Sequence, residues 1–173
     1  LKPLYGDLTQ QRAIAETQVM SNQIYNGTIN WNVGFGNLVS STSYSKGDPN
    51  VVGDLSAVFG PVLSGIFGRN LGALVSTTEP VHSFTQEVRL SSPADQKLEW
   101  MVGGYYTDEA AHEVQGLYPV DLNTGQPLYN FVPSLGVYHI DSTYREYAGF
   151  GDLTYHFTSA FEMSAGGRYS SNS

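Results

Sequence analysis

Apolar and polar residues alternate along the C-terminal part of the chain. Within residues 147–157 every second position is apolar, aromatic or glycine, whereas the intervening positions include Asp152 and His156. After a break at 158–160 the same alternation continues through 161–170. Because successive side chains of a strand point to opposite faces of a sheet, this pattern predicts a β-hairpin with one apolar face and one polar face.

The same alternation predicts two further hairpins upstream. Residues 21–46 form the first, around a turn signal at 34–37, and residues 84–107 form the second, around a turn at 93–96. The polar residues 1–20 are predicted to be a loop that leads into the first strand. The chain is therefore expected to be all-β, with about six antiparallel strands in three hairpins.

Two longer connections, 47–82 and 108–142, separate the hairpins and are predicted to be loops. The first contains apolar residues at helical spacing, which predicts a short helix that begins at a capping Asp54, ends at Gly68 and is kinked or split at Pro61. Two interpretations of this helix are open. It packs its apolar stripe on a neighbour, or it is a lid that contacts a ligand or a partner.

The alternation assigns side chains to the two faces of the hairpins. Strands of about ten residues, tight turns and aromatics around an apolar band are typical of transmembrane β-barrels, in which charge avoids the lipid side. Arg89 is predicted to pair with Glu99 across its hairpin on the polar side. The residues predicted to face lipid are Leu98, Trp100, Val102, Tyr147, Leu153, Tyr155, Phe157, Phe161, Met163 and Tyr169. Those predicted to face a water-filled lumen are Glu87, Arg89, Glu99, Asp152, His156, Glu162 and Arg168.

Composition excludes several classes of function. Only 14% of the 173 residues are charged, and the net charge is −8. A soluble domain has about 25% charged residues, and nucleic-acid binding requires basic patches, so no nucleic-acid partner is expected. The sequence has no cysteine, which excludes disulfides and thiolate metal sites. No apolar run approaches the roughly 18 residues of a membrane helix.

The sequence shows no pattern typical of catalysis, cofactor binding or metal binding. Its four histidines lack metal-ligand spacing, and it has neither a Gly-x-Ser-x-Gly motif nor a glycine-rich phosphate loop. Residues 121–125 have the opening spacing of a calcium loop but lack its later carboxylates, so a plain turn is predicted there. We therefore expect no enzymatic activity, no metal and no cofactor.

Two of the hairpins carry a family resemblance. FTQEVRLSSPAD (84–95) with LEWMVGGYYTDE (98–109) resembles a recurring hairpin of TonB-dependent outer-membrane receptors. YAGFGDLTYHFT (147–158) followed by FEMSAGGRYS (161–170) resembles the next one. The hairpin at 21–46 fits less specifically, and the loops are not covered.

The resemblance implies an up-and-down transmembrane β-barrel with a plug, which imports a scarce nutrient such as a ferric siderophore across the outer membrane of a Gram-negative bacterium. No plug domain or TonB box is visible, so residues 1–173 are expected to be an internal part of the barrel domain. The implied partners are outer-membrane lipid, the TonB complex through the missing plug, and a small-molecule ligand such as a metal chelate. The two long loops are expected to be extracellular. Candidate ligand contacts are Tyr105, Tyr118, Tyr129 and Tyr138.

Two alternatives from other classes remain open at this stage. One is a soluble all-β module, a sandwich that displays aromatic residues for binding carbohydrate. The other is a small complete outer-membrane barrel with a structural or adhesive role. The soluble module differs from both barrels in what covers the apolar face, which is protein in the module and lipid in the barrels. The length of the native reading frame distinguishes the small complete barrel from a receptor fragment.

Overall fold

The computed structural model describes residues 12–173. Positions 1–11 of the loop predicted at the start lie outside the described residues, and positions 17–20 belong to the first strand. The all-β prediction is confirmed. The elements are β1 (Thr17–Asn32), β2 (Asn37–Asp54), α1 (Ser56–Phe67), β3 (Leu71–Thr78), β4 (Val81–Ser91), β5 (Leu98–Asp121), β6 (Gln126–Pro127), β7 (Gly136–Thr158) and β8 (Phe161–Asn172).

The strands belong to one antiparallel sheet. Its order is β1-β2-β3-β5-β7-β8, while β4 pairs with β2 and β5, and β6 pairs with β5. The three predicted hairpins are present as β1–β2, β4–β5 and β7–β8. Sequence alternation was sufficient to find them because each hairpin is closed by a short turn between neighbouring strands.

Backbone hydrogen bonds close these turns. The N–H of Val33 donates to the carbonyl of Gly36 at 2.9 Å in the first turn, where Gly34 has a φ of 89° that favours glycine. The N–H of Ser92 donates to the carbonyl of Trp100 at 2.9 Å across the second turn. In the third, Thr158 lies opposite Phe161 after a register shift that follows His156.

The two predicted long loops are much shorter than expected. Within 47–82, β2 continues to Asp54 and α1 and β3 follow, and within 108–142, β5 continues to Asp121 and β7 begins at Gly136. The extra strand length is held by ladder pairing of β3 with β2 and with β5, for example Val75 opposite Gly53 and opposite Leu117. Such pairing between distant segments leaves no local turn signal in the sequence.

Helix α1 is present, but its ends and its packing differ from the prediction. Leu55 is the N-cap, and the Asp54 carboxylate instead accepts a hydrogen bond from the Ser56 N–H at 2.9 Å. Gly68 ends the helix as predicted, in the left-handed conformation with φ 64°. The helix continues through Pro61 and is not split there. In the described chain, no helix is long and apolar enough to cross a membrane.

The face that α1 buries contains two small residues and only Leu63 of the predicted apolar stripe. Ser56 and Gly60 are buried where α1 and β3 approach closely. Leu63 is buried because it packs against Leu71 and Ala73. The hydroxyl of Ser56 accepts the N–H of Ala73 at 3.2 Å. Most of the predicted stripe is exposed: Val58, Phe59, Val62, Ile66 and Phe67.

The chain divides into two compact units. Unit 1 comprises Leu1–Ser21, Asp48–Pro80 and His112–Asp141, and unit 2 comprises Asn22–Gly47, Val81–Ala111 and Ser142–Ser173. Unit 1 contains two small cores, which are Ile14, Leu74 and Val120, and Leu63, Leu71 and Ala73. All buried hydrophobic residues in the described part of the chain belong to unit 1. Unit 2 therefore has no apolar core of its own there.

Candidate functional site

The candidate site is the pair of opposed sheet faces in unit 2. Residues directly opposite each other on antiparallel strands share a face. The ladder sets Leu90 opposite Val102 and Leu153 opposite Ala165, whereas Glu87 lies opposite Tyr105 on the other side. The apolar face is formed by Val88, Leu90, Leu98, Trp100, Val102, Tyr106, Tyr147, Leu153, Tyr155, Met163 and Tyr169, and the polar face by Glu87, Arg89, Glu99, Tyr105, Asp152, His156, Glu162 and Arg168.

The large side chains of the apolar face are mostly exposed. Val102 is 51% exposed, Leu153 53%, Met163 60% and Tyr169 81%. Leu98, Tyr147, Phe157 and Phe161 are exposed as well, while Trp100 and Tyr155 are half-buried. Within the described residues of unit 2, no second layer covers these side chains to the extent that a soluble sandwich requires. A large exposed apolar patch is typical of a surface that contacts a membrane, another protein or a ligand.

Aromatic rings gather at both ends of the apolar face. At one end the rings of Tyr106 and Tyr147 lie 4.8 Å apart, and Phe84 lies 6.2 Å from Tyr106. At the other end the ring of Phe157 lies 4.7 Å from Tyr155 and 5.3 Å from Phe161. Side chains between the two groups are mainly aliphatic or glycine. Two aromatic girdles that flank an apolar band are typical of membrane β-barrels.

Charged residues begin where the apolar band ends. The carboxylate of Asp108 accepts hydrogen bonds from Arg145, at 2.8 Å from Nε, and from the Tyr106 hydroxyl at 2.9 Å. On the side of the β4–β5 turn, the Lys97 ammonium lies 5.5 Å from the centre of the Tyr155 ring. The band is therefore bounded by a charge next to an aromatic ring at each end.

On the polar face, His156 lies between two carboxylates. Its Nδ1 is 3.0 Å from Glu162, and its Nε2 is 3.6 Å from Glu99. Nε2 is buried and makes no hydrogen bond with any residue of 12–173. The backbone N–H of His156 donates to the carbonyl of Lys97 at 3.0 Å, which joins β7 to the turn before β5. These groups line a cavity of about 760 Å³ near the β4–β5 and β7–β8 turns.

A second cluster on the polar face surrounds Tyr105. The guanidinium of Arg168 lies 5.1 Å from the centre of the Tyr105 ring and forms an ion pair with Glu146 at 2.7 Å. The Tyr144 hydroxyl donates to the same Glu146 carboxylate at 3.0 Å. Arg168 is therefore fixed in place by one carboxylate and one aromatic ring.

The predicted pair of Arg89 with Glu99 does not form. Arg89 lies opposite Gly103, and its guanidinium is 3.5 Å from Glu87 on its own strand. Glu99 comes four positions before Gly103 on β5, close to the turn, where its carboxylate accepts the Asp95 N–H at 3.0 Å. The prediction was wrong because face alone does not fix the register of a hairpin.

The four candidate tyrosines do not form one group. Tyr105 lies on the polar face of unit 2, whereas Tyr118, Tyr129 and Tyr138 belong to unit 1. The rings of Tyr118 and Tyr129 lie 5.3 Å apart, edge to face. Tyr118 packs against the Ile14 core, and Tyr129 and Tyr138 are more than half exposed. The structure therefore brings together only Tyr118 and Tyr129.

The histidines of unit 1 form a small exposed cluster. His112 Nδ1 contacts the Asp141 carboxylate, and the His139 ring lies 6.1 Å from that of His112. No group of three or more His, Asp or Glu side chains in residues 12–173 is arranged to hold a metal ion. Residues 121–125 form a turn, closed by the Gly125 N–H on the Asp121 carbonyl at 2.7 Å, as predicted.

Asp54 joins three segments of unit 1. Its carboxylate accepts the backbone N–H groups of Ala13 at 2.6 Å, Ile14 at 3.4 Å and Ser56 at 2.9 Å. Burial raises the pKa of Asp54, but its hydrogen bonds with Ser56 and with the backbone of Ala13 and Ile14 together outweigh burial and lower the pKa below its usual value. The ionised carboxylate therefore stabilises this junction.

Sequence reasoning missed several interacting groups. The Asp108–Arg145 pair joins residues 37 positions apart, and His156 meets Glu99 from a different hairpin. The stacking of Arg69 on Phe131, at 4.9 Å, was also not foreseen. One signal in the sequence could have indicated the Asp108–Arg145 pair. Each residue lies an even number of positions from the apolar residues of its strand, so both charges fall on the same, otherwise apolar face.

Comparison of this chain with known proteins gives one distant structural similarity. No family model matches the chain, and no curated protein matches it. The chain is similar to a solved structure of the RagAB peptide importer in its open-open state, with 13% sequence identity and a TM-score of 0.46. The match covers 90% of this chain and 18% of that chain, so the present chain spans less than a fifth of its length. A likeness at this level does not indicate what the present chain binds.

Proposed function

We propose that this chain is part of the wall of an outer-membrane β-barrel, in a TonB-dependent receptor that imports a scarce nutrient such as a ferric siderophore. One observation carries the proposal: the apolar face of unit 2 is exposed, and this unit has no buried apolar residue among those described. In an outer-membrane barrel, lipid chains cover an apolar face of this kind. The resemblance of residues 84–107 and 144–172 to TonB-dependent receptors supports the finer assignment.

The length of the apolar band supports a membrane location. On β5 it runs from Leu98 to Tyr106, nine residues. At about 3.3 Å per residue this is about 26 Å of strand, and a tilted transmembrane strand needs about 9–11 residues. The ion pair of Asp108 with Arg145 lies beyond the band, at the level expected for lipid headgroups.

The polar face has the character expected of a barrel interior. Its charged side chains Arg168 and Glu146 are paired with each other, as are Arg89 and Glu87. An Arg or Lys that faces lipid at the bilayer midplane destabilises a barrel by about 2–4 kcal/mol. Placing these paired side chains on the lumen side avoids that cost. In the proposed receptor this face lines the lumen, and segments 47–82 and 108–142 meet the ligand first. The absence of enzymatic activity remains a prediction.

Charge placed on the two faces of β7 tests the proposal. Leu153→Arg and Tyr155→Asp each place a charge on the proposed lipid side, and we expect each to reduce the folded, membrane-inserted fraction of the full-length protein strongly. Thr154→Asp is the matched control between them, on the polar face, where Thr154 contacts Ser164 at 2.8 Å. We expect this variant to insert nearly as well as the wild type. The measurement is the heat-modifiable band in isolated outer membranes, and equal damage at all three positions would contradict the proposed faces.

A further inference from the structure

Arg69 differs from every other arginine of the chain in its partners. Arg12, Arg145 and Arg168 each lie 2.7–2.8 Å from a carboxylate oxygen, and Arg89 lies 3.5 Å from one. Arg69 forms no ion pair within residues 12–173. The chain has 16 acidic and 8 basic residues, so carboxylates are in excess. A guanidinium left without a carboxylate in such a chain is available to a ligand.

The backbone and two aromatic rings hold Arg69 in place. It directly follows Gly68, whose left-handed conformation ends α1. The Arg69 guanidinium lies 4.9 Å from the centre of the Phe131 ring, and the Phe67 ring meets Phe131 edge to face at 5.3 Å. Phe131 is itself held by its N–H, which donates to the Leu128 carbonyl at 2.9 Å. A guanidinium stacked on a ring keeps the N–H groups at its edge free for a planar acceptor.

The surroundings of Arg69 are apolar and open to solvent. Phe131 is 44% exposed, Phe67 37% and Ile66 69%. These side chains leave a hydrophobic surface directly beside one cation. A ligand that fits both features carries a carboxylate next to an apolar or aromatic group, because a guanidinium binds a carboxylate through two parallel hydrogen bonds.

We propose that Arg69, stacked on Phe131 beside Phe67, is a subsite for the carboxylate of the transported ligand, with an apolar or aromatic group of that ligand resting on the adjacent phenylalanine surface. This inference rests on the proposed import function. It assigns the imported ligand to the class of carboxylates that carry an aromatic or apolar group. Arg69 also lies next to the C-terminal end of α1, where any cation is favourable. That interaction needs charge alone, whereas carboxylate recognition needs the planar fork of arginine.

The test measures binding of N-acetyl-L-phenylalanine and its amide to the purified full-length protein in detergent, by saturation-transfer NMR. The two probes differ only in the carboxylate. We expect the acid to bind about tenfold more tightly than the amide, in line with a charged hydrogen-bonded pair. Arg69→Gln is expected to remove this preference, and Arg69→Lys is expected to lose most of it. Phe131→Leu is expected to weaken the binding of both probes.

Arg12→Gln is the matched control, since Arg12 is already paired with Glu16 at 2.7 Å. We expect the preference for the acid to be unchanged in this variant. Equal binding of acid and amide, binding of neither, or a preference that survives Arg69→Gln would overturn the subsite. Tighter binding of phenyl phosphate than of the acid would also overturn it, in favour of a phosphate site. Membrane insertion of each variant is measured separately, so failure of the subsite is distinguishable from failure of the import proposal.

Discussion

At the scale of single residues, contacts between neighbouring strands depend on glycine. The Phe150 ring of β7 lies directly over Gly103 of β5, on the polar face. A Cβ added at Gly103 would be 2.7 Å from Phe150 Cε2 and 3.0 Å from the Val88 carbonyl oxygen. A side chain at position 103 would need the space that the Phe150 ring occupies, so this close approach requires glycine.

Gly103→Ala is therefore expected to destabilise the folded protein by about 1–3 kcal/mol, the usual cost of overpacking. Gly149→Ala is the matched control on the neighbouring strand, because a Cβ there meets no atom within 4 Å. We expect the control to be neutral or slightly stabilising. Thermal unfolding of the purified protein in detergent measures both variants. If the two alanines have the same effect, Phe150 does not pack on Gly103 as described.

At the scale of elements, the sequence was informative wherever one face of a strand is apolar and the other polar. Residues 147–157 and 84–90 alternate cleanly, and the hairpins lie where they were predicted. The pattern failed for β3 because Leu71, Gly72, Ala73 and Leu74 are buried in succession, which removes any alternation. It failed in part for α1, where Leu63 is buried together with Ser56 and Gly60 while most of the apolar stripe is exposed. Helical spacing identifies a helix but does not show which side meets its neighbour.

The junction of β2, α1 and the segment before β1 is expected to depend on pH through Asp54. Its pKa in the folded state is lowered, so its contribution to stability is complete above its unfolded pKa of about 3.9. That contribution is lost as the pH falls through the lower folded pKa. Asp54→Asn should therefore reduce the free energy of unfolding at neutral pH, and the difference from wild type should shrink in acid.

Denaturant unfolding of wild type and Asp54→Asn between pH 2 and 7 measures this difference. Glu113→Gln serves as the control, since Glu113 makes no hydrogen bond or ion pair with the residues that the structure describes. At neutral pH we expect this variant to have nearly the same free energy of unfolding as the wild type. A pH-independent cost of Asp54→Asn would show that packing of the side chain, rather than its charge, holds the junction.

At the scale of the whole molecule, the two units obtain their stability from different sources. Unit 1 buries Leu71, Ala73 and Val120 almost completely, as a water-soluble protein does. Unit 2 turns its largest apolar side chains outward. A soluble carbohydrate-binding sandwich would cover this face with a second sheet. The face was predictable from alternation, whereas the division into two units was not, because it depends on pairing between segments far apart in sequence.

Cell fractionation distinguishes the membrane protein from the soluble module. We expect the full-length protein in the sarkosyl-insoluble outer-membrane fraction, because detergent or lipid must cover the apolar face. A known periplasmic binding protein and a known outer-membrane porin serve as markers in the same preparation. Recovery of the protein in the soluble periplasmic or secreted fraction would favour the soluble alternative.

The outward-turned side chains of unit 2 have a consequence for how the chain acquires its structure. Folding in water is driven mainly by the burial of apolar side chains, and unit 2 buries none of its described hydrophobic residues, so it would gain little free energy by folding there. If unit 2 belongs to a barrel wall as proposed, its insertion and folding are a single event, and the bilayer supplies the driving force that a buried core supplies in unit 1. Between synthesis and insertion the segment would be an aggregation hazard, which holding chaperones of the cell envelope would have to suppress.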